Sequence, residues 1–303
     1  MGEKMIQKSI SSSSIVIVGI VRNCENKVAT EIKRINSAFS SAKKISWIIV
    51  ESDSHDRTIN QIENLKDKYS IRLISLGTLR YKMPKRTERI SFCRNAYLNE
   101  LNSNKKYKDT DYFVVVDLDG INSDLSSYYV DYCWDIGFKW DACFPNQLAP
   151  YYDIWALRHK IWCPNDVWAQ FYYLRKFSKN NLFLKNSIIY SKMITIPIDA
   201  SPIEVDSAFG GIGFYKIECS KLGKYSGLNK DGIQFCEHVY FNACLKREGK
   251  ELFILPGFIN GSWNEHNKET KLWNKFKSLL ILYILLLIKP LLSKTKIKEI
   301  LRK

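Results

Sequence analysis

The sequence lacks several patterns that mark particular classes of protein. None of its eight cysteines forms a CxxC pair or the paired spacing of a zinc site, so we interpret them as reduced packing residues. The apolar run from Ile15 to Val21 is followed by Arg22 and Asn23 instead of a small-residue cleavage site, which argues against a secretory signal peptide. No internal repeat is visible. The cysteine pattern and the argument against a signal peptide together favour a reducing compartment, the cytoplasm.

Acidic residues are scarce relative to basic ones. Of the 303 residues, 31 are Asp or Glu and 46 are Lys or Arg, which leaves a net charge of +15. Such an excess favours a polyanionic partner, whether nucleic acid, a phosphorylated small molecule or anionic lipid. Hydrophobic residues make up 46% of the chain, which is enough to bury the core of one large domain or of two closely packed halves.

The first 120 residues alternate between short apolar runs and longer amphipathic stretches. The spacing predicts strands over residues 15–21, 45–50, 71–76 and 112–116, and helices over residues 25–39, 58–69 and 89–101. This order predicts a doubly wound α/β sheet, whose ligands bind beyond the carboxyl ends of the strands. Acidic loops at Glu51 and Asp117 follow two of these strands.

The second half of the chain is harder to divide into elements. Residues 128–190 are irregular and rich in aromatic side chains, and we expect them to wall the other half of a cleft. Further on, we predict a strand at 194–198, a glycine-interrupted segment at 205–215, a helix at 235–247 and a strand at 252–255.

The strongest chemical signal is Asp117-Leu118-Asp119 at the end of an apolar strand. Alternate strand residues share a face, so the two carboxylates point to one side of the chain. Their oxygens suit Mg²⁺ or Mn²⁺, with a diphosphate supplying the remaining ligands. The alternative interpretation is an acidic loop that merely ends a strand.

Two further motifs precede this one in the chain. Residues 48–58 read Ile-Ile-Val-Glu-Ser-Asp-Ser-His-Asp-Arg-Thr, and residues 92–96 read Phe-Cys-Arg-Asn-Ala. The three motifs together resemble those of the GT-A glycosyltransferases, especially the large inverting family two. The resemblance implies a GT-A-like mixed sheet in which a nucleotide-binding half precedes an acceptor-binding half.

The resemblance also implies roles for residues in the nucleotide-binding half. Glu51 takes the place of the acid that recognises the nucleobase, Val21 and Arg22 line the base pocket, and Arg94 reaches the nucleotide. Asp53 belongs to the same nucleotide-sugar-binding set. The alternatives are helix capping for the two acids and an exposed helix charge for Arg94.

For the metal, the resemblance implies that Asp117 contacts ribose or the cation and that Asp119 ligates the cation. His266 follows the last predicted strand, where several GT-A families place a third metal ligand, and its imidazole suits Mn²⁺ better than Mg²⁺. The alternative for His266 is an ordinary surface residue.

Residues 236–250 are similar to the acidic-pair helix of the family, which implies that Glu237 is the catalytic base. The alternative for Glu237 is a helix-terminal acid stabilised by the helix dipole. Asp206, in the glycine-rich segment 205–211 that resembles a loop beside the acceptor site, is the reserve base. Residues 151–158 are vaguely similar to capsule-related mannosyltransferases, and we expect this segment to pack in the core around one ion pair.

The tail joins an apolar run at 279–288 to several lysines. The run is shorter than the roughly 20 apolar residues that span a bilayer, so we predict a helix that lies on an anionic membrane surface. The alternative is a helix packed on the body or at a dimer contact. We divide the chain into a leader (1–14), a nucleotide-sugar-binding half (15–127), an acceptor-binding half (128–268) and a membrane-associating tail (269–303).

These inferences lead to one expected function. The chain is expected to be a metal-dependent, inverting glycosyltransferase that moves a sugar from a UDP- or GDP-sugar to a glycan or lipid-linked acceptor in cell-surface polysaccharide synthesis. It would sit on the inner face of the cell membrane and would not bind nucleic acid. The rivals are a nucleic-acid-binding protein, suggested by the charge and the tyrosines, and a metal-dependent nucleotidyltransferase or hydrolase.

Overall fold

Runs of β-branched residues form the centre of an eight-stranded sheet. The computed structural model describes residues 8–270. Its strands are β1 (Ser14–Val21), β2 (Lys44–Glu51), β3 (Ile71–Ser75), β4 (Tyr112–Asp117), β5 (Ala142–Gln147), β6 (Ile203–Glu204), β7 (Ile212–Lys216) and β8 (Leu252–Gly261). The first four match the predicted strands closely, because runs that are apolar on both faces are typical of buried parallel strands.

Helices connect most of these strands. They are α1 (Val28–Ala38), α2 (Thr58–Glu63), α3 (Arg86–Ser103), α4 (Ser127–Asp135), α5 (Val167–Leu174), α6 (Asn181–Ile188), α7 (Cys219–Leu222) and α8 (Glu237–Arg247). Short 3-10 helices lie at Ile10–Ser12, Lys105–Tyr107 and Tyr190–Lys192. All eight cysteines are unpaired, as the sequence predicts.

The strand order is β3-β2-β1-β4-β7-β5-β8-β6. Strands β3, β2, β1 and β4 run parallel, whereas β7 runs antiparallel to both of its neighbours, β4 and β5. The chain winds outward from β1 to β3 and then returns to place β4 on the other side of β1, which creates a topological switch point. The predicted doubly wound, mixed α/β sheet is therefore confirmed.

Both faces of the sheet are covered. In β1, Val16 and Val18 join one buried cluster with residues of α3, while Ile15 and Ile17 join a second cluster with residues of α1. Alternate side chains of a strand point to opposite faces, so this division shows that β1 separates two apolar layers. The strand register then sets Val21 beside Glu51 and Ile20 beside Asp117 at the carboxyl edge.

The segment before α8 packs tightly on the start of α3. The Thr87 hydroxyl donates to the Gly227 carbonyl at 2.7 Å, and the Asn95 side chain pairs with both the N–H and the carbonyl of Tyr225. These bonds join residues more than 125 positions apart in sequence. They fix α3 relative to the start of α8, which is where Arg94 and Glu237 lie.

The predicted strand at 194–198 is wrong. This segment has no strand pairing, and its backbone is held instead by single bonds, from Tyr151 N–H to the Ile194 carbonyl and from the Asn146 side chain to the Ile196 carbonyl. Pro197 has no N–H to donate, which breaks any ladder at that point. Strand β8 is longer than predicted, and the irregular aromatic region contains α4, β5, α5 and α6.

The predicted membrane-associating helix lies outside the described residues, as does the tail that contains it apart from residues 269 and 270. Within residues 8–270, no helix is both long and apolar enough to cross a bilayer.

Gly227→Ala is expected to destabilise the fold. A Cβ at this position would lie 2.1 Å from the carbonyl oxygen of Thr87, and backbone cannot move aside cheaply. We expect a loss of roughly 1–3 kcal/mol in the free energy of unfolding, measured by urea denaturation. Gly137→Asn is the control, because that left-handed residue has open space around it and Asn tolerates this conformation. Equal stabilities of the two variants would contradict the packing described here.

Candidate active site

The loops after β1 and β2 are joined by hydrogen bonds at the carboxyl edge of the sheet. Asn23 N–H donates to the Ser54 hydroxyl at 3.1 Å, and the Asn23 side chain accepts from His55 N–H at 2.8 Å. Cys24 N–H donates to the Thr58 hydroxyl at 2.8 Å. Asn23 has a positive φ of 48°, a conformation that Asn adopts more readily than most residues. The two loops therefore form one rigid rim.

Glu51 and Asp53 are buried within this rim. The Glu51 carboxylate accepts from Ser54 N–H at 2.8 Å and from the Ser75 hydroxyl at 2.7 Å. Asp53 accepts from the N–H groups of Leu79 and Arg80, both at 3.0 Å. Both acids thus hold loop backbone, and neither caps a helix, since no side chain caps the start of α2 or α3. Asp53 Oδ2 is buried without a hydrogen-bond partner in the described structure.

Val21 and Arg22 lie beside this rim. Val21 is buried at the end of β1 and its carbonyl accepts from Ser52 N–H, while Arg22 is exposed. Val21, Arg22, Glu51 and Asp53 therefore lie at the same edge of the sheet, and their role in nucleotide-sugar binding stays a prediction.

Arg94 is the centre of the site. It is 3% exposed, and it donates from Nε to Glu237 Oε1 at 2.9 Å and from Nη2 to Asp117 Oδ1 at 3.3 Å. The guanidinium also lies over the rings of Phe209 and Tyr225. Burial disfavours its charge, but Tyr97 and the two carboxylates raise the pKa of Arg94 well above the ordinary value. The expectation of an exposed helix charge is therefore excluded.

Asp117 lies in a strongly negative environment. Burial raises its pKa to about 7, against the opposing effect of Arg94, and the carboxylates of Asp119, Glu237 and Asp153 add to the rise. A third of the Asp117 side chain remains open to solvent, so these charges are partly screened. Two carboxylates thus share one guanidinium, and two further carboxylates lie close enough to act on Asp117, an arrangement that favours binding of a further cation.

Asp153 belongs to this cluster, although the sequence predicted that residues 151–158 pack in the core. Its carboxylate accepts from Gly210 N–H at 2.9 Å and from Ala156 N–H at 3.2 Å. Burial raises its pKa, as does Glu237, while the two hydrogen bonds lower it. The predicted core packing and ion pair are also present: Leu157 is buried, and Arg158 binds Asp166 at 2.9 Å. The sequence did not identify Asp153, the one acidic residue of this segment, as a site residue.

A buried amide network holds the Gly210–Gly211 turn against the Asp117 loop, and no sequence motif predicted it. The Asn260 side chain donates to Asn122 Oδ1 at 2.8 Å and to the Gly210 carbonyl at 2.7 Å. Asn122 donates to the carbonyls of Asp117 and Gly211, at 2.9 and 3.2 Å. A Cβ on Gly211, whose φ is +94°, would lie 2.4 Å from Ile121. Glycine is favoured here because this residue has a positive φ and because the Ile121 side chain occupies the space that a Cβ would need.

Asp119 and His266 lie at the outer side of the cluster, and both are exposed. The Asp119 side chain accepts from Ile121 N–H at 3.3 Å, and its carbonyl accepts from Lys27 at 2.6 Å. His266 stacks on Tyr152 with ring centroids 5.3 Å apart. Its charge lowers the pKa of Asp153, so it faces the same cluster.

Two aspartates of the cluster could supply part of the coordination shell of a divalent cation. Asp117 and Asp119 supply the carboxylate oxygens that Mg²⁺ and Mn²⁺ accept, and their mutual repulsion raises the pKa of Asp117. Within residues 8–270, no group of three or more His, Cys, Asp or Glu side chains is arranged to hold a metal ion. A cation held by these two aspartates would need further ligands from substrate or water.

Asp206 does not join the cluster. Its N–H donates to the Arg158 carbonyl at 2.8 Å, and its carboxylate makes no hydrogen bond or ion pair with any residue that the structure describes. Of the two predicted bases, Glu237 alone contacts Arg94.

His238, next to the predicted base, is buried as a neutral side chain. Its ring stacks on Phe209 with centroids 3.7 Å apart, and neither ring nitrogen has a hydrogen-bond partner among the described residues. Burial, together with the charge of Arg94, lowers the pKa of His238 well below its ordinary value.

No protein-family model and no curated protein matches the sequence. Among solved structures, the chain is similar to the mannosyltransferase PcManGT from Pyrobaculum calidifontis in complex with GDP-Man and Mn²⁺, with 11% identity and a TM-score of 0.45. It is also similar to S. aureus TarS 1-349 in complex with UDP-GlcNAc, again with 11% identity and a TM-score of 0.45. Glucosyl-3-phosphoglycerate synthase from Mycobacterium tuberculosis in complex with UDP gives 11% identity and a TM-score of 0.39.

These matches cover 82%, 84% and 85% of this chain, respectively, and 56%, 60% and 72% of the matched chains. The chain therefore spans less than two thirds of the first two proteins. Likeness at this level concerns the path of the backbone and does not assign an activity.

Arg94→Met is expected to lower the free energy of unfolding by about 3–5 kcal/mol, because it leaves the carboxylate of Glu237 buried without its positively charged partner. Adding Glu237→Gln removes the stranded charge, so the double variant should be more stable than the single one. Chemical denaturation of the three proteins checks this. A double variant no more stable than Arg94→Met would contradict the pairing.

His238 is expected to make stability depend on pH in the acidic range. Its pKa is lower in the folded than in the unfolded chain, so the unfolded chain binds the extra proton first and stability is lost as pH falls below about 6.5. His238→Phe should remove this contribution, up to about 1.4 kcal/mol per pH unit. Denaturation of both proteins between pH 5 and 7.5 measures it, and parallel pH profiles would contradict a buried neutral imidazole.

Proposed function

We propose that the chain is a divalent-cation-dependent glycosyltransferase that moves a sugar from a nucleotide-diphosphate sugar to a hydroxyl of a glycan or lipid-linked saccharide. The observation that carries this proposal is the meeting of Asp117, at the end of β4, with Arg94 and Glu237. They meet at the carboxyl edge of the parallel strands, where doubly wound sheets bind ligands. The motif resemblance to GT-A enzymes supports the same reaction.

Asp117 and Asp119 would hold the cation together with the donor diphosphate. When bound, the cation neutralises negative charge that develops on the diphosphate as its bond to the sugar breaks. His266 supplies a further ligand if the segment around it moves inward. Mn²⁺ fits a site with an imidazole better than Mg²⁺ does, and either ion accepts the two carboxylates.

Arg94 keeps Asp117 and Glu237 in place before substrate binds. Its bond to Glu237 uses Oε1, and Oε2 of Glu237 accepts no hydrogen bond from the described residues. That oxygen is free to take the proton of an acceptor hydroxyl as the hydroxyl oxygen attacks the anomeric carbon. The electron pair of the breaking bond passes to the diphosphate oxygen. Such a direct displacement inverts the anomeric carbon.

The rim of the β1 and β2 loops would receive the nucleobase and ribose. Val21, Arg22 and Glu51 lie at the carboxyl ends of β1 and β2, which follow β4 in that order across the sheet, as a nucleotide extending from a diphosphate at Asp117 would require. Because both oxygens of Glu51 already accept hydrogen bonds, contact with a base would add to these bonds or replace them. UDP- and GDP-sugars are the proposed donors.

A role in cell-surface polysaccharide synthesis at the inner face of the cell membrane follows from the lipid-linked acceptor and from the basic, apolar sequence after residue 270. Nucleic acid is not proposed as a partner, because the acidic cluster at the carboxyl edge would repel it.

The test is turnover of UDP- and GDP-sugars, with and without Mn²⁺, by the full chain and by Asp119→Asn. The exposed Asp119 tolerates the change without unfolding, so we expect roughly 100-fold slower turnover at unchanged stability. Asp109→Asn is the matched control, because Asp109 is also exposed and precedes β4 at its opposite end. Full activity of Asp119→Asn, or a turnover rate that is unchanged when a chelator removes the divalent cation, would contradict the proposal.

A further inference from the structure

Helices α5 and α6 leave one face of large apolar side chains in solvent. Phe171 of α5 and Leu184 of α6 are buried in the core, which anchors both helices. The opposite face and the turn between the helices expose five side chains, which we call the α5–α6 patch: Tyr172, Tyr173, Phe177, Leu182 and Phe183. Phe177 is 75% exposed, Leu182 67% and Phe183 62%, so these residues contribute little to the core.

This concentration is unusual. Of fourteen exposed large hydrophobic side chains in the part of the chain that the structure describes, five fall within the twelve residues 172–183. Single exposed apolar residues are normal on a protein surface, whereas clusters of them mark sites of interaction with proteins or membranes. The rings are also in contact with one another, since the centroids of Tyr173 and Phe177 are 5.6 Å apart.

The patch lies in a stretch of sequence whose charged residues are all basic. Residues 167–198 contain no Asp or Glu and five basic residues: Arg175, Lys176, Lys179, Lys185 and Lys192. The Lys176 ammonium lies 5.5 Å from the ring centroid of Tyr173, so charge and aromatic surface are interleaved. Aromatic side chains beside Lys and Arg are typical of surfaces that enter the headgroup region of a bilayer.

Charge decides between possible partners for this patch. Residues 271–303 of the chain carry nine Lys or Arg and one acidic residue, so they would be repelled by the patch rather than attracted to it. A second copy would present the same basic surface to the patch. An anionic surface is complementary to all of these segments at once.

We propose that the α5–α6 patch docks on an anionic lipid bilayer, with its aromatic and leucine side chains in the headgroup boundary and its lysines on lipid phosphates. This inference rests on the patch alone and does not depend on the proposed function. The patch is linked to the candidate active site, because Arg158 joins the segment carrying Asp153 to Asp166, which caps α5. Docking would therefore hold the site at a fixed orientation to the membrane.

Photo-crosslinking tests the contact directly. The full-length protein is prepared with 4-benzoylphenylalanine in place of Phe177 or, as a control, in place of Tyr128, which is equally exposed at 75%. Each protein is irradiated with phosphatidylglycerol–phosphatidylcholine vesicles and with pure phosphatidylcholine vesicles. We expect lipid adducts from position 177 on the anionic vesicles, and at least tenfold fewer from position 128 or on neutral vesicles.

Other adducts identify other partners. A crosslink from position 177 to residues 271–303, a crosslink to a second copy, or the absence of any lipid adduct would each overturn the proposal.

Charge reversal provides a second measurement. Lys176→Glu with Lys179→Glu should weaken binding of the full chain to anionic vesicles by at least about 25-fold, since each lysine near the surface contributes roughly fivefold. Lys105→Glu with Lys106→Glu makes the same change in charge at another exposed site and should cost less. Equal losses for the two pairs would show that only net charge matters and would overturn a docking surface at α5–α6.

Discussion

The structure depends on one buried guanidinium held between two carboxylates. Arg94 comes from α3, Asp117 from the last residue of β4 and Glu237 from the first residue of α8, which lies 143 positions beyond Arg94 in the sequence. A buried charge is costly unless it is paired, so the two ion pairs require the three elements to meet in one arrangement. The segment before α8 also packs tightly on α3, and its hydrogen bonds to Thr87 and Asn95 help to hold the start of α8 beside Arg94.

The same pairing leaves the site short of positive charge. One guanidinium is shared by Asp117 and Glu237, and Asp119 and Asp153 are close enough to raise the pKa of Asp117 further. Such an imbalance is unfavourable in the free protein and is relieved when a cation binds. Placing this imbalance at the switch point of a doubly wound sheet gives both a reason for cation binding and a place for a nucleotide diphosphate beside it.

The sequence predicted the parts of the fold that local pattern controls. Strands β1, β2 and β4 are runs of mostly buried residues, and β2 and β4 end at acidic loops, so both the strand positions and the side of the sheet that carries Asp117 could be inferred. The strand at 194–198 was wrong because apolar alternation does not reveal that Pro197 and side-chain hydrogen bonds replace a ladder. Asp153 and the amides of Asn122 and Asn260 were missed because their roles come from long-range packing, with Asn260 lying 138 residues from Asn122. No local signal identifies such partners.

The central claim is that the carboxylate cluster around Arg94 exists to bind a divalent cation with a diphosphate. Crystals of the protein grown with UDP or GDP and Mn²⁺, with data collected at the manganese edge, test it most directly. The account predicts one anomalous peak roughly 2.0–2.3 Å from carboxylate oxygens of Asp117 or Asp119 and in contact with the diphosphate. A nucleotide bound with no metal near these aspartates, or a manganese peak elsewhere in the molecule, would contradict it.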